Sequence, residues 1–341
     1  MITNFSIPED KYNVDFFINL ILKDLKEYDL KTFNVGVSYP YSLNDDEKQL
    51  LKKEFQFNLV KEIEKKIDRN RTEKSFGDIN ILIDYNYKRI EYIIMPIFIY
   101  GIYNKYSREL PQTIDYCFKC RGKGCSFCNQ KGILRNTSIQ EIIEKYLRKH
   151  IDFKELKFHG AGREDIDVLM LGNGREFIVE LEEPKKREVD KNTLEDIEKD
   201  INENEKKNIK VNSLRLTDKE MVGKIKNEKN FKEYLATVEC EKEIDIKDFE
   251  KIDLKKEIKI KQFTPKRVSK RRALITRERT VEILDVEKVS KKKIKLRLKA
   301  EAGLYVKEFI SGENKKTNPS ISEIIQNPCK CIELDVILIY R

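Results

Sequence analysis

Four cysteines within residues 117–128 offer the most recognisable chemistry in the sequence. The segment C-F-K-C-R-G-K-G-C-S-F-C holds two Cys-x-x-Cys pairs, at Cys117, Cys120, Cys125 and Cys128. Each pair can present two thiolates from one tight turn, and the two glycines between the pairs permit the reversal that brings them together. Four thiolates in tetrahedral geometry form a closed structural zinc site, which stabilises the fold and leaves no position for catalysis. An iron–sulfur cluster is the alternative occupant.

The remaining cysteines, Cys240, Cys329 and Cys331, are scattered and do not form an even disulfide framework. Clustered cysteines in a reducing compartment usually hold a metal. The N-terminal residues carry acids rather than a basic and then apolar leader, and the apolar run at 90–103 is too short to span a bilayer. These features predict a cytoplasmic protein without a membrane segment.

A second reactive group lies at residues 159–175, H-G-A-G-R-E-D-I-D-V-L-M-L-G-N-G-R. Arg163 precedes Asp165 by two positions on a glycine-flanked turn that enters a strand. This arrangement holds a carboxylate at the mouth of a strand with a cation close by. Taken alone, such a turn also fits a solvated loop.

Two later segments supply an aromatic ring and a further cation. Residues 232–238, K-E-Y-L-A-T-V, place Tyr234 on a strand, and residues 303–307, G-L-Y-V-K, end at Lys307. Together and in this order, the three segments resemble the conserved motifs of pseudouridine synthases. The archaeal and eukaryotic tRNA pseudouridine(54/55) synthase family is the most similar.

The resemblance covers most of the chain. The family's G-R-E-D-[IV]-D-V-x-x-L-G-x-G-R pattern stands at 162–175, T-P-x-R-V at 264–268, and S-G followed by T-N-P-S within 311–320. Residues 96–101 and 111–113 are similar to that family's RNA-binding THUMP-type module. Two departures are the lack of any cysteine before Cys117 and the lysine at position 270, where relatives tend to carry histidine.

The resemblance implies a role for each site residue. Asp165 is the expected nucleophile and Tyr234 the ring that stacks on an everted uracil. Lys307 is the expected cation in contact with Asp165, and Arg163 is the alternative. Asp167 is expected to point away from Asp165 and to be structural.

The implied reaction isomerises uridine to pseudouridine in the TΨC arm of tRNA, at positions 54 and/or 55. The base leaves nitrogen and rejoins the ribose through carbon, without an organic cofactor. The target base must leave its stack, which costs a few kcal/mol.

The charge distribution agrees with an RNA substrate. The net charge is +9, yet residues 251–300 alone carry 19 Lys and Arg against 6 Asp and Glu. A basic block on an otherwise balanced chain is typical of proteins that bind phosphate backbones, although a merely solubilising role also fits. The predicted RNA-binding residues are Tyr305, Lys266, Arg267, Arg271 and Arg272, which would position the RNA without reading its sequence.

The predicted fold is α/β in the α+β sense, with two domains. Residues 1–135 are expected to form a THUMP-like α/β accessory domain that includes the cysteine knuckle. Residues 136–341 are expected to form a catalytic domain on a mixed β-sheet. Within this scheme residues 44–66 form a long amphipathic helix, the apolar run at 90–103 is one strand, and Gly172-Asn-Gly174 is the turn of a β-hairpin.

Two other functions fit parts of this pattern. THUMP-like modules also accompany tRNA methyltransferases and thiouridine synthases, but those need a nucleotide site, and the sequence offers no phosphate-binding glycine loop. A zinc-containing RNA-binding or chaperone module would explain the cysteines alone. Membrane association and an obligate protein partner are not indicated.

Overall fold

The computed structural model describes residues 1–67, 70–71, 77–245, 248, 251–269 and 272–341, and it shows an α+β chain with two β-sheets. The five-stranded sheet lies at the N-terminal end and has the strand order β1-β5-β4-β2-β3. Its strands are β1 (Ile2–Asn4), β2 (Thr32–Ser38), β3 (Asn70–Arg71), β4 (Ile79–Asp84) and β5 (Arg89–Ile94).

Helices cover one face of this sheet because their apolar residues recur at helical spacing. Helix α1 (Val14–Asp24) begins at Asn13, whose side chain accepts a hydrogen bond from the backbone of Phe16. The predicted long amphipathic helix is confirmed over 45–67. It consists of α2 (Asp45–Leu51), a π-helical turn (Lys52–Gln56) and α3 (Phe57–Ile67). These helices and the sheet enclose one apolar core.

The ten-stranded sheet has the order β14-β11-β12-β13-β10-β15-β8-β6-β9, with β7 beside β8. Neighbouring strands are antiparallel except for the parallel pair β8 and β15. Its strands are β6 (Ile97–Lys105), β7 (Glu155–Gly160), β8 (Val168–Glu182), β9 (Ile209–Thr217), β10 (Lys232–Cys240), β11 (Glu257–Phe263), β12 (Thr276–Ser290), β13 (Lys293–Ala300), β14 (Thr317–Asn318) and β15 (Cys329–Ile339).

Within the described residues, the helices that accompany the large sheet are α4 (Ile139–Leu147), α5 (Lys191–Asn204), α6 (Lys219–Asn227), α7 (Val306–Ser311) and α8 (Ile321–Ile324). Apolar residues of α4, α5, α7 and α8 join those of the strands in a single buried cluster. Across the described ranges, no helix combines the length and the apolar composition that crossing a membrane requires.

The strand predicted over residues 90–103 is in fact two strands in different sheets. β5 pairs with β1 and β4 of the small sheet, whereas β6 pairs with β8 and β9 of the large one. Pro96 lies in the break, and because it has no N–H it cannot donate to a strand ladder. The large sheet therefore begins at Ile97 rather than after the predicted boundary at residue 135.

The hairpin predicted at Gly172-Asn-Gly174 is wrong, because β8 runs through these residues as one strand. The register with β6 slips here: Tyr103 lies opposite Arg175, but Lys105 lies opposite Met170. The intervening residues form a bulge. The side chain of Asn173 hydrogen-bonds the backbone N–H and C=O of Ile339 on β15, at 2.9 and 2.7 Å. This amide replaces the ladder hydrogen bonds that the bulge interrupts, so the chain need not turn back.

Gly172 is required in this bulge, and its replacement gives a testable prediction. Gly172 has φ +58°, and a Cβ there would lie 1.9 Å from the carbonyl oxygen of Ile337. We expect Gly172→Ala to lower the free energy of unfolding by about 2 kcal/mol or more, measured by urea denaturation.

Gly223→Ala is the matched control. Gly223 lies in α6, where an added Cβ has nothing within 4 Å. Alanine should raise the free energy of unfolding there by about 0.5–1 kcal/mol. Equal stabilities for Gly172→Ala and the wild type would contradict the described bulge.

Candidate active site

The carboxylate of Asp165 lies in a cleft of about 590 Å³. The loop between β7 and β8 carries Asp165, β10 contributes Tyr234, and the turn after β11 contributes Arg267. Tyr305 and Lys307 enter from the segment after β13. Nine basic and three acidic side chains are among the lining residues, so the cleft is strongly positive.

Arg267 makes the shortest cation contacts to Asp165. Its Nη1 lies 2.8 and 2.7 Å from the two carboxylate oxygens, while Lys307 Nζ is 3.5 Å away. The other edge of the guanidinium binds the buried Glu308, with Nη2 3.0 Å from Oε2. Burial opposes the charge on Arg267, but the hydrogen bonds and charges of these two acids more than offset it and raise its pKa. Arg267 was predicted to grip RNA phosphate; its guanidinium is instead engaged by two carboxylates.

Lys307 is shared between two carboxylates. Its Nζ lies 2.7 Å from both carboxylate oxygens of Asp167. Asp167 therefore faces the same lysine as Asp165, and the expectation that it points away is wrong. Both residues precede β8 rather than lie within it, so strand alternation does not separate them. Burial raises the pKa of Asp167, but the hydrogen bond and the charge of Lys307, with smaller backbone and Lys105 contributions, together outweigh burial, and the pKa lies below its ordinary value.

A buried network fixes the loop that carries Asp165. Glu164 Oε2 lies 2.8 Å from Arg175 Nε, and both side chains are almost fully buried. The hydroxyl of Tyr103 donates to Glu164 at 2.9 Å, and Gln112 Nε2 donates to the Tyr103 oxygen at 2.8 Å. Gln112 also donates to the carbonyl oxygen of Gly162 at 3.0 Å. The acid beside Asp165 is thus an anchor, which leaves Asp165 free to face the cleft.

Lys105 also fixes the loop that carries Asp165, and this role was not predicted from the sequence. This fully buried lysine donates from Nζ to the carbonyl oxygens of Leu110 at 3.1 Å, Ile166 at 2.8 Å and Asp165 at 3.4 Å. Burial lowers the pKa of Lys105 to about 8. Lys105 ends an apolar strand, where a lysine is ordinarily exposed to solvent. The sequence therefore does not indicate that this lysine is buried under a loop.

Tyr234 lies near the start of β10 and lines the cleft. Ala236, two residues further along the strand, is buried. Burial raises the pKa of Tyr234 to about 12, so its hydroxyl is neutral at physiological pH. The guanidinium carbon of Arg267 lies over the Tyr305 ring, 5.7 Å from the centroid of that ring. Gln262 fixes the Tyr305 backbone by accepting from its N–H at 2.8 Å and donating to its C=O at 3.1 Å.

The other predicted residues are less closely grouped. Arg163 is exposed at the cleft and makes no ion pair within the part of the chain that the structure describes. Arg272 also lines the cleft, whereas Lys266 is exposed and does not. Arg271 lies outside the described residues, as does Lys270.

The basic block divides between two surfaces. Arg277 and Arg279 of β12 line the cleft, and neither was singled out from the sequence. Their i, i+2 spacing within a strand is the signal that places both on one face. Arg297 and Lys299 of β13 instead pair with Glu233 and Glu282 on neighbouring strands. Only part of the block therefore faces the cleft.

Lys226 and Lys232 also line the cleft and were not predicted. Burial, with a smaller contribution from Arg175, lowers the pKa of Lys232 to about 8. Lys226 Nζ lies 2.9 Å from Nδ1 of His159, whose Nε2 is 2.8 Å from Glu180. Both lysines lie outside the basic block at 251–300, so the charge of that block could not reveal them.

The four clustered cysteines come together as predicted. Their sulfur atoms all lie within 4.8 Å of one another, a spacing that can hold a metal ion. The Sγ–Sγ distances are 3.8 Å for Cys117 and Cys125, 3.8 Å for Cys120 and Cys128, and 3.7 Å for Cys125 and Cys128. The backbone N–H of Gly132 donates to Cys128 Sγ at 3.2 Å, which stabilises a thiolate.

The cleft, with its cation-bound aspartate and partly buried tyrosine, and the similarity to known proteins together place the chain among the pseudouridine synthases. A family model described as "Pus10, C-terminal" matches residues 98–340. A protein named tRNA pseudouridine synthase Pus10 from Methanocaldococcus jannaschii is 38% identical over 97% of this chain and 73% of its own length. Its namesake from Archaeoglobus fulgidus is 36% identical over 96% and 92%. The chain belongs to the Pus10 family.

Among solved structures, the chain aligns with one described as a Cbf5-Nop10-Gar1 complex. The alignment has a TM-score of 0.34 and 15% identity, and it covers 69% of this chain and 56% of that chain. At this level of similarity the superposition supports no functional conclusion.

Lys105 gives a pH-dependent prediction. Its pKa is about 8 in the folded protein and 10.5 ordinarily, so the folded protein loses this proton at lower pH than the unfolded chain. Lys105 therefore makes the free energy of unfolding rise with pH between about 8 and 10.5. We expect the stability of the wild type relative to Lys105→Met to increase across this interval, measured by urea denaturation at several pH values.

The exposed Lys210 on β9 supplies the control, and Lys210→Met should show no such trend relative to the wild type. A difference between the wild type and Lys105→Met that stays constant from pH 8 to 10.5 would rule out a buried ammonium under the Asp165 loop.

Proposed function

We propose that this chain is a tRNA pseudouridine synthase that isomerises uridine in the TΨC arm, at position 54, 55 or both, with Asp165 as the nucleophile. The observation that carries this proposal is the contact of Asp165 with Arg267 and Lys307 in a cleft shared with Tyr234. The archaeal relatives named above support the choice of tRNA. Such a role implies a cytoplasmic location.

In this reaction the bond from ribose C1′ to uracil N1 breaks and a bond from C1′ to C5 forms. C5 loses a proton and N1 gains one, so there is no net redox change and no organic cofactor is needed. Two cations contact the Asp165 carboxylate, which is the group that can attack the base or the sugar. Because Arg267 is itself held by Glu308, the carboxylate stays oriented as the substrate arrives.

The uridine must be everted from its stack to reach Asp165, at a cost of a few kcal/mol. Stacking on Tyr234 would return about 1–3 kcal/mol. Since Tyr234 is neutral and anchored on a strand, its ring is available as a rigid platform. Arg163, Arg272, Arg277 and Arg279 lie around the cleft, where they would contact the RNA backbone.

Zinc is the metal that best fits the cysteine cluster. A tetrahedron with metal–sulfur bonds of about 2.3 Å has sulfur–sulfur edges of about 3.8 Å. Three of the Sγ–Sγ separations are 3.7 to 3.8 Å. A multi-iron cluster would place its own atoms between the thiolates and hold them farther apart. Four thiolates leave no open position, so the ion would not act on substrate. It would instead stabilise the segment from residue 115 to 135, here called the cysteine hairpin.

The five-stranded sheet and its helices would serve as the THUMP-like accessory module. Residues 1–94 form this unit, which has its own core. The accessory module predicted over 1–135 is thus smaller in our proposal, since β6 and the cysteine hairpin belong to the large sheet. We assign it a role in holding tRNA while the cleft engages the target uridine.

Asp165→Asn tests the nucleophile. The amide keeps the size of the carboxylate but cannot attack, so we expect tRNA binding to be retained and pseudouridine to be undetectable. The measurement is incubation with unmodified tRNA, followed by carbodiimide-based mapping of pseudouridine and a filter-binding assay.

Asp167→Asn is the matched control, because Asp167 contacts the same Lys307 from the same loop. We expect its rate to fall less than about tenfold, which corresponds to about 1.4 kcal/mol. Full product formation by Asp165→Asn, or equal losses in both variants, would overturn the assignment of Asp165.

Metal content is a separate prediction. We expect one zinc ion per chain by elemental analysis. Cys125→Ser should lose the ion and lower the melting temperature by several degrees, because the site closes the hairpin. Cys240→Ala, which removes a cysteine outside the cluster, should keep the ion. Retention of zinc by Cys125→Ser would contradict a four-cysteine site.

A further inference from the structure

The cysteine hairpin exposes two aromatic rings that the core does not use. Phe118 and Phe127 occupy the interior of the two Cys-x-x-Cys pairs, and they are 63% and 48% exposed. Their ring centroids lie 5.1 Å apart with an interplanar angle of 64°. Tyr116, at the start of the hairpin, is 58% exposed. A metal site needs only the cysteines and the turns, so three adjacent exposed rings suggest a binding surface.

Unpaired cations lie in the same hairpin as these rings. Lys119 Nζ lies 4.2 Å from the centroid of Phe127. Arg121 and Lys123 are exposed, and no carboxylate pairs with either of them in the described parts of the chain. By contrast, Arg135 at the base of the hairpin pairs with Asp115. Residues 115–135 carry five basic side chains and one acidic one, so the hairpin stays positive even with a zinc tetrathiolate of charge −2.

The hairpin is rigidly attached beside the candidate active site. Its two sides are joined by hydrogen bonds from Cys117 N to Gly132 O and from Leu134 N to Asp115 O, both 2.8 Å. Gln112, at its base, donates to the carbonyl of Gly162 three residues before Asp165. The hydrogen bond of Gln112 therefore connects the base of the hairpin that carries the rings to the loop that carries Asp165.

We propose that Phe118, Phe127 and the cations Lys119, Arg121 and Lys123 form a second RNA-contact surface, here called the knuckle platform. The phenyl rings stack on unpaired bases of the RNA substrate, and the cations contact its phosphates. Rings interleaved with free cations fit single-stranded nucleotides, since every base has a face that can stack and every phosphate is an anion. An apolar protein partner would not require the cations. The identity of the RNA as substrate rests on the proposed function.

The double variant Phe118→Ala/Phe127→Ala tests the stacking. A stacked base contributes about 1–3 kcal/mol, so the Kd for unmodified tRNA should rise at least about tenfold. The rate at saturating tRNA and the zinc content should stay at the wild-type values. Val289→Ala, which truncates an apolar side chain of similar exposure on β12, should leave the Kd unchanged.

Phe118→Leu/Phe127→Leu separates stacking from packing. Leucine keeps apolar bulk next to the metal but offers no aromatic face, so tRNA binding should still weaken while zinc is retained. Wild-type affinity in this leucine variant overturns the knuckle platform, even if the alanine variant loses its metal.

The triple variant Lys119→Ala/Arg121→Ala/Lys123→Ala tests the phosphate contacts. The slope of log K against log salt concentration should become shallower by about 0.7 for each single-strand phosphate that no longer meets a cation. An unchanged slope with zinc retained overturns this half of the proposal.

The knuckle platform and the proposed function can fail separately. If the wild type makes no pseudouridine while these variants still bind tRNA more weakly, the proposed function fails and the knuckle platform stands. If the wild type makes pseudouridine and every variant binds tRNA with wild-type affinity, the knuckle platform fails and the proposed function stands.

Discussion

The contact between Arg267 and Asp165 is the interaction on which the arrangement of the cleft depends. The arginine reaches Asp165 with one edge and Glu308 with the other, and so it ties together three distant parts of the chain. These parts are the loop before β8, the turn after β11 and helix α7. A buried carboxylate such as Glu308 is costly unless it is paired, and this cost holds Arg267 in place. The position of the Asp165 carboxylate and the order of the cleft thus have the same physical cause.

Beneath that contact lies a second layer that fixes the backbone. Glu164, Arg175 and Tyr103 form a buried polar cluster. Lys105 donates hydrogen bonds to the backbone carbonyl oxygens of Asp165 and Ile166 in the same loop. Networks of this kind are stabilising only when every member is satisfied, which makes the loop geometry intolerant of change. The motif from residue 162 to 175 therefore contains one acid that faces the cleft, Asp165, and several residues that hold its loop.

The sequence allowed the residues facing the cleft to be predicted better than their supports. Asp165, Tyr234 and Lys307 were predicted from three separate segments, and they line one cleft. Arg267 was predicted as a surface contact because a basic residue in a basic block gives no sign of the acids it will meet. Lys105 could not be found in this way, since its partners are backbone carbonyls, which no side-chain pattern reveals.

The errors in the fold have similar origins. Gly-Asn-Gly is a strong hairpin signal on local grounds, but Asn173 finds its hydrogen bonds on β15, more than 160 residues away in sequence. The run around Pro96 is apolar on both sides of the proline, and only the pairing partners show that it serves two sheets. Both outcomes depend on contacts between distant segments, whereas the helix predicted over 44–66 depends on local periodicity and was confirmed.

The break at Pro96 has a consequence for how the molecule can be divided. Because β6 lies between β8 and β9, the cysteine hairpin is an insertion within the large sheet and not a linker between two modules. A fragment beginning at residue 136 would lack β6, and the edges of β8 and β9 that pair with it would be unpaired. Unpaired strand edges favour aggregation. The first strand of the large sheet thus precedes the cysteine cluster, so a fragment that keeps the sheet whole must also include the cluster.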